Sequence, residues 1–199
     1  MADSFDKRVT PARPDLAASW LRNRVDALDY AEGEAATVIA SCASLRAEPL
    51  DDAAQDSELL FGETVAVYER EDGWAWVQAD NDRYVGYVLE DALDDDVPEA
   101  DARVIAPTAP VLTRPELKAP LGGLLPMGAL VTRGKMVGDY VEIGPDSFVY
   151  VRHLAALNDA QPDFVAVAEQ FVGAPYVWGG KTASGIDCSC LIQVALQAA

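Results

Sequence analysis

The sequence predicts a mainly β protein in which two small β-barrels in tandem precede a pair of helices. Three observations carry this. From Thr37 onward, short β-branched and aromatic runs alternate with turn residues. The same run of features then occurs a second time in the same order. Past residue 157 the apolar spacing changes from strand-like alternation to a helical repeat.

Composition sets outer limits. At 199 residues the chain can hold one large domain or two to three small ones. Fifteen Lys and Arg against 33 Asp and Glu give a net charge of −18, which argues against a nucleic-acid backbone as partner. The runs Asp51-Asp52 and Asp94–Asp96 read as solvated loops. No apolar run approaches the ~20 residues that span a bilayer. The N-terminus lacks the apolar stretch of a secretory signal, so the expected location is cytoplasmic, with export or a periplasmic location as the alternative. Three cysteines, Cys42, Cys188 and Cys190, are expected as free thiols. With His153 they do not match zinc-ligand spacing, and neither metal nor cofactor is expected.

Residues 1–36 form an N-terminal segment. Its first thirteen residues are polar and are expected to be disordered or draped on the surface. Pro14 and Asp15 suit a first helical turn, and Ala17, Leu21, Val25 and Leu28 recur at helical spacing, predicting a helix over about 14–30. Residues 37–97 form the first barrel, with Asp72-Gly73 as a hairpin turn. Residues 103–157 form the second, after an acidic link. The pairing is Ser44–Pro49 with Leu112–Glu116, Leu59–Val65 with Leu124–Val131, Gly73–Val77 with Gly138–Ile143, and Gly86–Leu93 with Phe148–Leu154. Four such features in order, twice over, resemble bacterial SH3-like (SH3b) domains. Each barrel is close to the size at which a single core is marginal, so mutual packing is expected. His153, the one histidine, falls at the end of the second barrel and reads as a structural residue closing it.

Residues 162–199 hold the chemistry. Asn158 and Asp159 are capping candidates, with Pro162 just inside a helix that places Phe164, Val167, Ala168 and Phe171 on one face and stops at Gly173. A Gly-rich loop then runs into Asp187-Cys188-Ser189, followed at once by a helical pattern with Leu191, Ile192, Ala195 and Leu196 as its apolar face. A thiol at a helix start meets free backbone N–H groups and the positive end of the helix dipole, which favour a thiolate nucleophile. Gly180-Lys181-Thr182 is not a phosphate-binding loop: the first glycine of G-x-x-x-x-G-K-S/T falls on Pro175, which has no N–H to offer.

Gly173–Gly180 reads Gly-Ala-Pro-Tyr-Val-Trp-Gly-Gly, and Asp187–Leu191 reads Asp-Cys-Ser-Cys-Leu. This segment resembles the opening of the NlpC/P60 family of papain-like cysteine peptidases, and SH3b domains before such a domain are a familiar arrangement there. The resemblance implies an α+β papain-like domain and hydrolysis of murein peptides, typically at the γ-D-glutamyl–diaminopimelate bond. It implies Cys188 as nucleophile, Tyr176 beside the thiolate, and Asp187, Ser189 and Trp178 lining the substrate cleft, with Asp187 against a substrate ammonium. Packing is the competing role for Trp178. Two departures matter: Cys190 stands where the family has glycine, and the family's histidine, carried on strands after the nucleophile helix, has no counterpart here. The chain is therefore expected to be an inactive N-terminal part of a murein-peptide endopeptidase. The alternative is a non-catalytic SH3b module binding cell-wall peptide, with a vestigial peptidase tail. Either way, the terminal helix is expected to be disordered, docked on a barrel, or covered by a segment or chain that completes the domain.

Overall fold

The computed structural model describes residues 5–159 and 163–199. The chain divides into two compact units. One takes the chain up to Leu59 together with Glu63–Val97; the other takes Leu60–Gly62 together with Pro98–Ala199.

The helix predicted over 14–30 does not form. In its place are β1 (Leu16–Ala18), a 3-10 turn at Ser19–Leu21 and β2 (Asp29–Ala31), with β1 and β2 paired in parallel. The helical stripe fails at both ends: Asn23 takes a positive φ of 67°, and Leu28 is 90% exposed. An isolated helix of this length is marginal in water. Here the backbone groups are satisfied instead in an extended path over the first barrel. The Val85 N–H donates to the Arg8 carbonyl, and the Gln78 amide donates to the Val9 carbonyl. Ala18 and Leu21 pack with Tyr68, Trp76 and Val85 into a second apolar cluster on the outer face of the sheet.

The first barrel is a seven-stranded sheet. Its strands are β3 (Glu34–Val38), β4 (Cys42–Arg46), β5 (Gln55–Leu60), β6 (Thr64–Glu71), β7 (Trp74–Ala79), β8 (Val85–Leu89) and β9 (Leu93–Asp94), in the order β5-β4-β8-β7-β6-β3-β9. Inward-facing residues alternate along each strand, and Val38, Leu45, Leu59, Val65, Val77 and Val88 make the core. Asp72 (φ 50°) and Gly73 (φ 81°) form the two-residue turn between β6 and β7.

The second barrel repeats this plan. Its strands are β10 (Ala102–Val104), β11 (Thr108–Leu112), β12 (Leu121–Pro126), β13 (Leu130–Val131), β14 (Met136–Val137), β15 (Tyr140–Gly144), β16 (Ser147–Tyr150) and β17 (Leu154–Ala156). The orders β12-β11-β16-β15-β14 and β13-β10-β17 match those of the first barrel, except that the equivalent of the long β6 is broken into β13 and β14. In both barrels a 3-10 turn, Glu90–Ala92 or Val151–His153, leads into the last strand. The loop ahead of the second barrel is held by Thr132, whose hydroxyl donates to the carbonyls of Pro98 and Glu99.

The second unit continues into α1 (Phe164–Glu169), a small hairpin of β18 (Lys181–Thr182) and β19 (Gly185–Ile186), and α2 (Cys188–Ala198). The cap of α1 is Asp163, which accepts from the Val165 N–H at 2.8 Å, rather than Asn158 or Asp159. Pro162 lies outside the described residues. The terminal helix is ordered and docked. Its buried residues Cys190, Val194, Ala195 and Ala198 meet Val167 and Phe171 of the α1 region and Met127 of the second barrel in one cluster. The apolar face is thus rotated from the expected one: Leu191 is half-buried, and Ile192 and Leu196 are exposed. The face that docks is the one of smaller residues, Cys190, Val194, Ala195 and Ala198, which fits α2 against Val167, Phe171 and Met127. At the far end the Arg103 side chain donates to the carbonyls of Gln197 and Leu157.

Candidate active site

Residues 173–190 fold so that one carboxylate organises both the Gly-rich loop and the helix start. Gly173 takes φ 97° and ends the α1 turn. The chain then runs alongside β19: the Ile186 N–H donates to the Pro175 carbonyl at 3.0 Å, and Tyr176 bridges to Ile186. A tight turn brings the Gly180 N–H onto the Val177 carbonyl, and the Gly180 carbonyl accepts from the Asp187 N–H at 3.1 Å. A Cβ on Gly180 would meet the Gly185 carbonyl oxygen at 2.4 Å, and one on Gly185 would meet the Val177 side chain at 2.4 Å, so neither has room for a side chain.

Asp187 is the N-cap of α2. Its Oδ1 accepts from the Cys190 N–H at 2.7 Å and from the Ser189 hydroxyl at 2.8 Å, and its Oδ2 accepts from the Gly179 N–H at 2.9 Å. The residue is only 7% exposed. Burial pushes its carboxyl up, but the donors from Cys190, Ser189 and Gly179 more than offset this and hold it below the usual carboxylate range. The family resemblance implies a substrate ammonium as the partner of Asp187; the geometry gives it the prior task of fixing where Cys188 stands. An aspartate immediately before a helical run is a capping signature, and that signal was present in the sequence.

Cys188 opens α2 and its thiol is exposed. Tyr176 lies against it. The tyrosine hydroxyl titrates above its ordinary value, first through partial loss of solvent, then through the charges of Cys188 and Asp187 and a hydrogen bond to the Cys188 sulfur. Tyr176 is 63% exposed and Trp178 67% exposed, so both rings stand at an open surface and Trp178 does not act as a core residue. Ser189 spends its hydroxyl proton on Asp187. Cys190, in contrast with Cys188, is 4% exposed within the apolar cluster, so the two thiols of the C-x-C pair have separate surroundings.

The arrangement brings together an exposed thiol and backbone donors at a helix start, with a phenol beside the sulfur. It does not supply a histidine. His153 sits in the 3-10 turn of the second barrel, edge-on to the Tyr150 ring at 5.4 Å, and its carbonyl accepts from the Ile105 N–H. No cluster of His, Cys, Asp and Glu able to hold a metal ion occurs among the described residues, and none of their helices is long and apolar enough to cross a membrane.

The cap makes a direct prediction. Asp187→Ala should destabilise the second unit by about 1–2 kcal/mol in chemical denaturation, with Asp187→Asn losing less because an amide oxygen still caps. The stabilisation by Asp187 should be complete above the unfolded carboxyl value near 3.8 and lost as pH falls through its lower folded value. A wild-type protein whose stability stays flat through that acid range, or an Asp187→Ala variant as stable as wild type, would contradict the capping role.

Comparison with known proteins bears on both units. Residues 45–93 match the profile of a bacterial dipeptidyl-peptidase SH3 domain, and residues 173–199 match that of the NlpC/P60 family. The chain is 28% identical over 184 residues to dipeptidyl-peptidase 6 of Lysinibacillus sphaericus, covering 80% of this chain and 68% of that protein. Among solved structures it is similar to the crystal structure of an NlpC/P60 family protein from Bacillus cereus, at 17% identity and a TM-score of 0.69, over 82% of this chain and 72% of the other. That likeness shows a shared fold.

Proposed function

We propose that this chain is an SH3b-bearing member of the NlpC/P60 family and carries the nucleophile half of a cysteine endopeptidase acting on murein peptides at the γ-D-glutamyl–diaminopimelate bond. The observation that carries the reading is the exposed Cys188 at the start of α2, held by the Asp187 cap beside Tyr176, inside the segment matched by the family profile. In this reading the Cys188 thiolate attacks the scissile carbonyl. The backbone N–H at the helix start and the Tyr176 hydroxyl stabilise the oxyanion. Asp187 and Ser189 face the cleft, the Asp187 carboxylate supplying the charge for the substrate ammonium, and Trp178 borders the peptide. The relative named dipeptidyl-peptidase 6 supports a peptide substrate.

The proton acceptor is not among the residues assembled around Cys188. A thiolate nucleophile works with a base in hydrogen-bond reach, and the one histidine is committed to the second barrel. The 199-residue chain should therefore release no L-Ala-γ-D-Glu from L-Ala-γ-D-Glu-diaminopimelate. Supplied with histidine-bearing strands from a family catalytic domain, it should cleave that bond, and Cys188→Ala should remove the activity. Cys188-dependent turnover by the chain alone would refute the inactivity and return His153 to consideration. A complemented chain that binds the peptide without cleaving it would favour the alternative, a cell-wall-peptide-binding module. The same reading places the work in recycling of released peptides inside the cell.

A further inference from the structure

The outer face of the first barrel carries two rungs of the same chemistry, and the chain fills one of them. A bulge in β6 at Tyr68 shifts the register, so Glu69 pairs across the strands with Trp76, and Glu71 with Trp74. Directly opposed residues share a face, so each rung sets a carboxylate beside an indole. Trp76 is also the cross-strand partner of Tyr87.

The first rung is occupied by a guanidinium. Arg13, from the N-terminal segment, lies 4.4 Å over the Trp76 ring, pairs with Glu69 at 2.6 Å and donates to the Tyr87 hydroxyl at 2.9 Å. Asp15 completes its shell at 2.6 Å. This is a working organic-cation site: an aromatic face, a carboxylate and a phenol oxygen around one planar cation.

The N-terminal segment covers the face as far as Arg13, while the second rung opens onto a groove of about 440 Å³ lined by Pro49, Glu71, Asp72, Trp74 and the Arg13 site. Arg13 answers Asp15 and Glu69. Glu71 and Asp72 have no ion pair among the described residues. The two-residue turn at Asp72-Gly73 holds both rung residues in fixed register, so the slot is rigid before any ligand arrives.

We propose that the Glu71–Trp74 rung binds a cationic side chain, of the arginine or lysine type, on a peptide lying along the β6–β7 hairpin. The bound cation stacks on the Trp74 indole and pairs with Glu71 and Asp72, copying what Arg13 does one rung away. This site is separate from Cys188 and does not depend on the peptidase reading.

The test is a titration of the ¹⁵N-labelled chain, following the Trp74 indole N–H, assigned through Trp74→Phe. Nα-acetyl-arginine amide should shift this resonance saturably, and Nα-acetyl-lysine amide should compete. The neutral isostere Nα-acetyl-citrulline amide should bind about tenfold more weakly. Glu71→Gln, an exposed substitution checked by an unchanged melting curve, should weaken the arginine probe several-fold and flatten its salt dependence. Citrulline binding as tightly as arginine would overturn the proposal. So would a Glu71→Gln variant that binds normally, or a Trp74 resonance unmoved by roughly 50 mM of either cation.

Discussion

Gly180→Ala should lower the melting temperature of the second unit by roughly 10 °C or more. A Cβ at this position would sit 2.4 Å from the Gly185 carbonyl oxygen, 2.9 Å from its carbon and 3.1 Å from the Val177 oxygen. All three are backbone atoms, held by the β18–β19 pairing and by the turn that ties Gly180 to Val177. No side chain can swing aside. Overpacking of this kind costs about 3 kcal/mol, and for a unit of this size each kcal/mol moves the midpoint by several degrees. Gly180 itself supplies the carbonyl that receives the Asp187 N–H, so the helix start should loosen with the loop. Alkylation of Cys190, buried in wild type, should then approach that of Cys188. Gly123→Ala, with open space around its Cβ, is the control and should change little. A Gly180→Ala protein that melts like wild type would mean the loop has another packing available.

Gly62→Ala should be still more damaging. Gly62 has φ 80°, a region that costs an L-residue about 1–2 kcal/mol. Its Cβ would also fall 2.1 Å from the Leu130 carbonyl oxygen, where the Phe61 carbonyl accepts from the Leu130 N–H. Strain and collision add, giving an expected loss of about 4 kcal/mol. The readout is chemical denaturation, with faster hydrogen exchange at Leu130 and Val131. Gly138→Ala separates the two causes: φ is 60° but nothing lies within contact distance, so only the backbone part, about 1 kcal/mol, should be lost. Equal losses at Gly62 and Gly138 would show that the approach to Leu130 relaxes freely.

What could be read from the sequence follows from the range of the forces involved. Strand alternation and turn residues act over a few positions, so the β-rich barrels and the Asp72-Gly73 turn were legible, as was the thiol at a helix start. The N-terminal segment was misread because Leu16, Ala17 and Leu21 fit a helical stripe just as well as a strap. What decides between them is the Val85, Gln78 and Trp76 surface, roughly sixty residues away in sequence and invisible to local spacing. The face of α2 was misjudged for a similar reason. Leu191, Ile192 and Leu196 are the larger apolar residues, but the surface offered by Val167, Phe171 and Met127 takes the smaller Cys190, Val194, Ala195 and Ala198. Cys190 belongs to this face, a compact thiol clustered with Met127, Val167 and Phe171. At the site, the sequence named Cys188, Tyr176, Asp187, Ser189 and Trp178. It did not show that Asp187 is shared among three donors, because that depends on the loop closing back over the helix start.

Met127 has a consequence for how the molecule can be taken apart. It belongs by sequence to the second barrel, yet its side chain lies inside the cluster built by α1 and α2, and Arg103 ties the same barrel to the last turn of α2. Barrel and helices therefore share a buried seam beside the barrel's own core. A cut between residues 157 and 163 would leave a bare thioether on one fragment and an uncovered helical face on the other. For anyone choosing boundaries to clone, graft or swap, the piece bearing the thiol takes in the barrel from Pro98 together with Leu60–Gly62, rather than starting at the first helix.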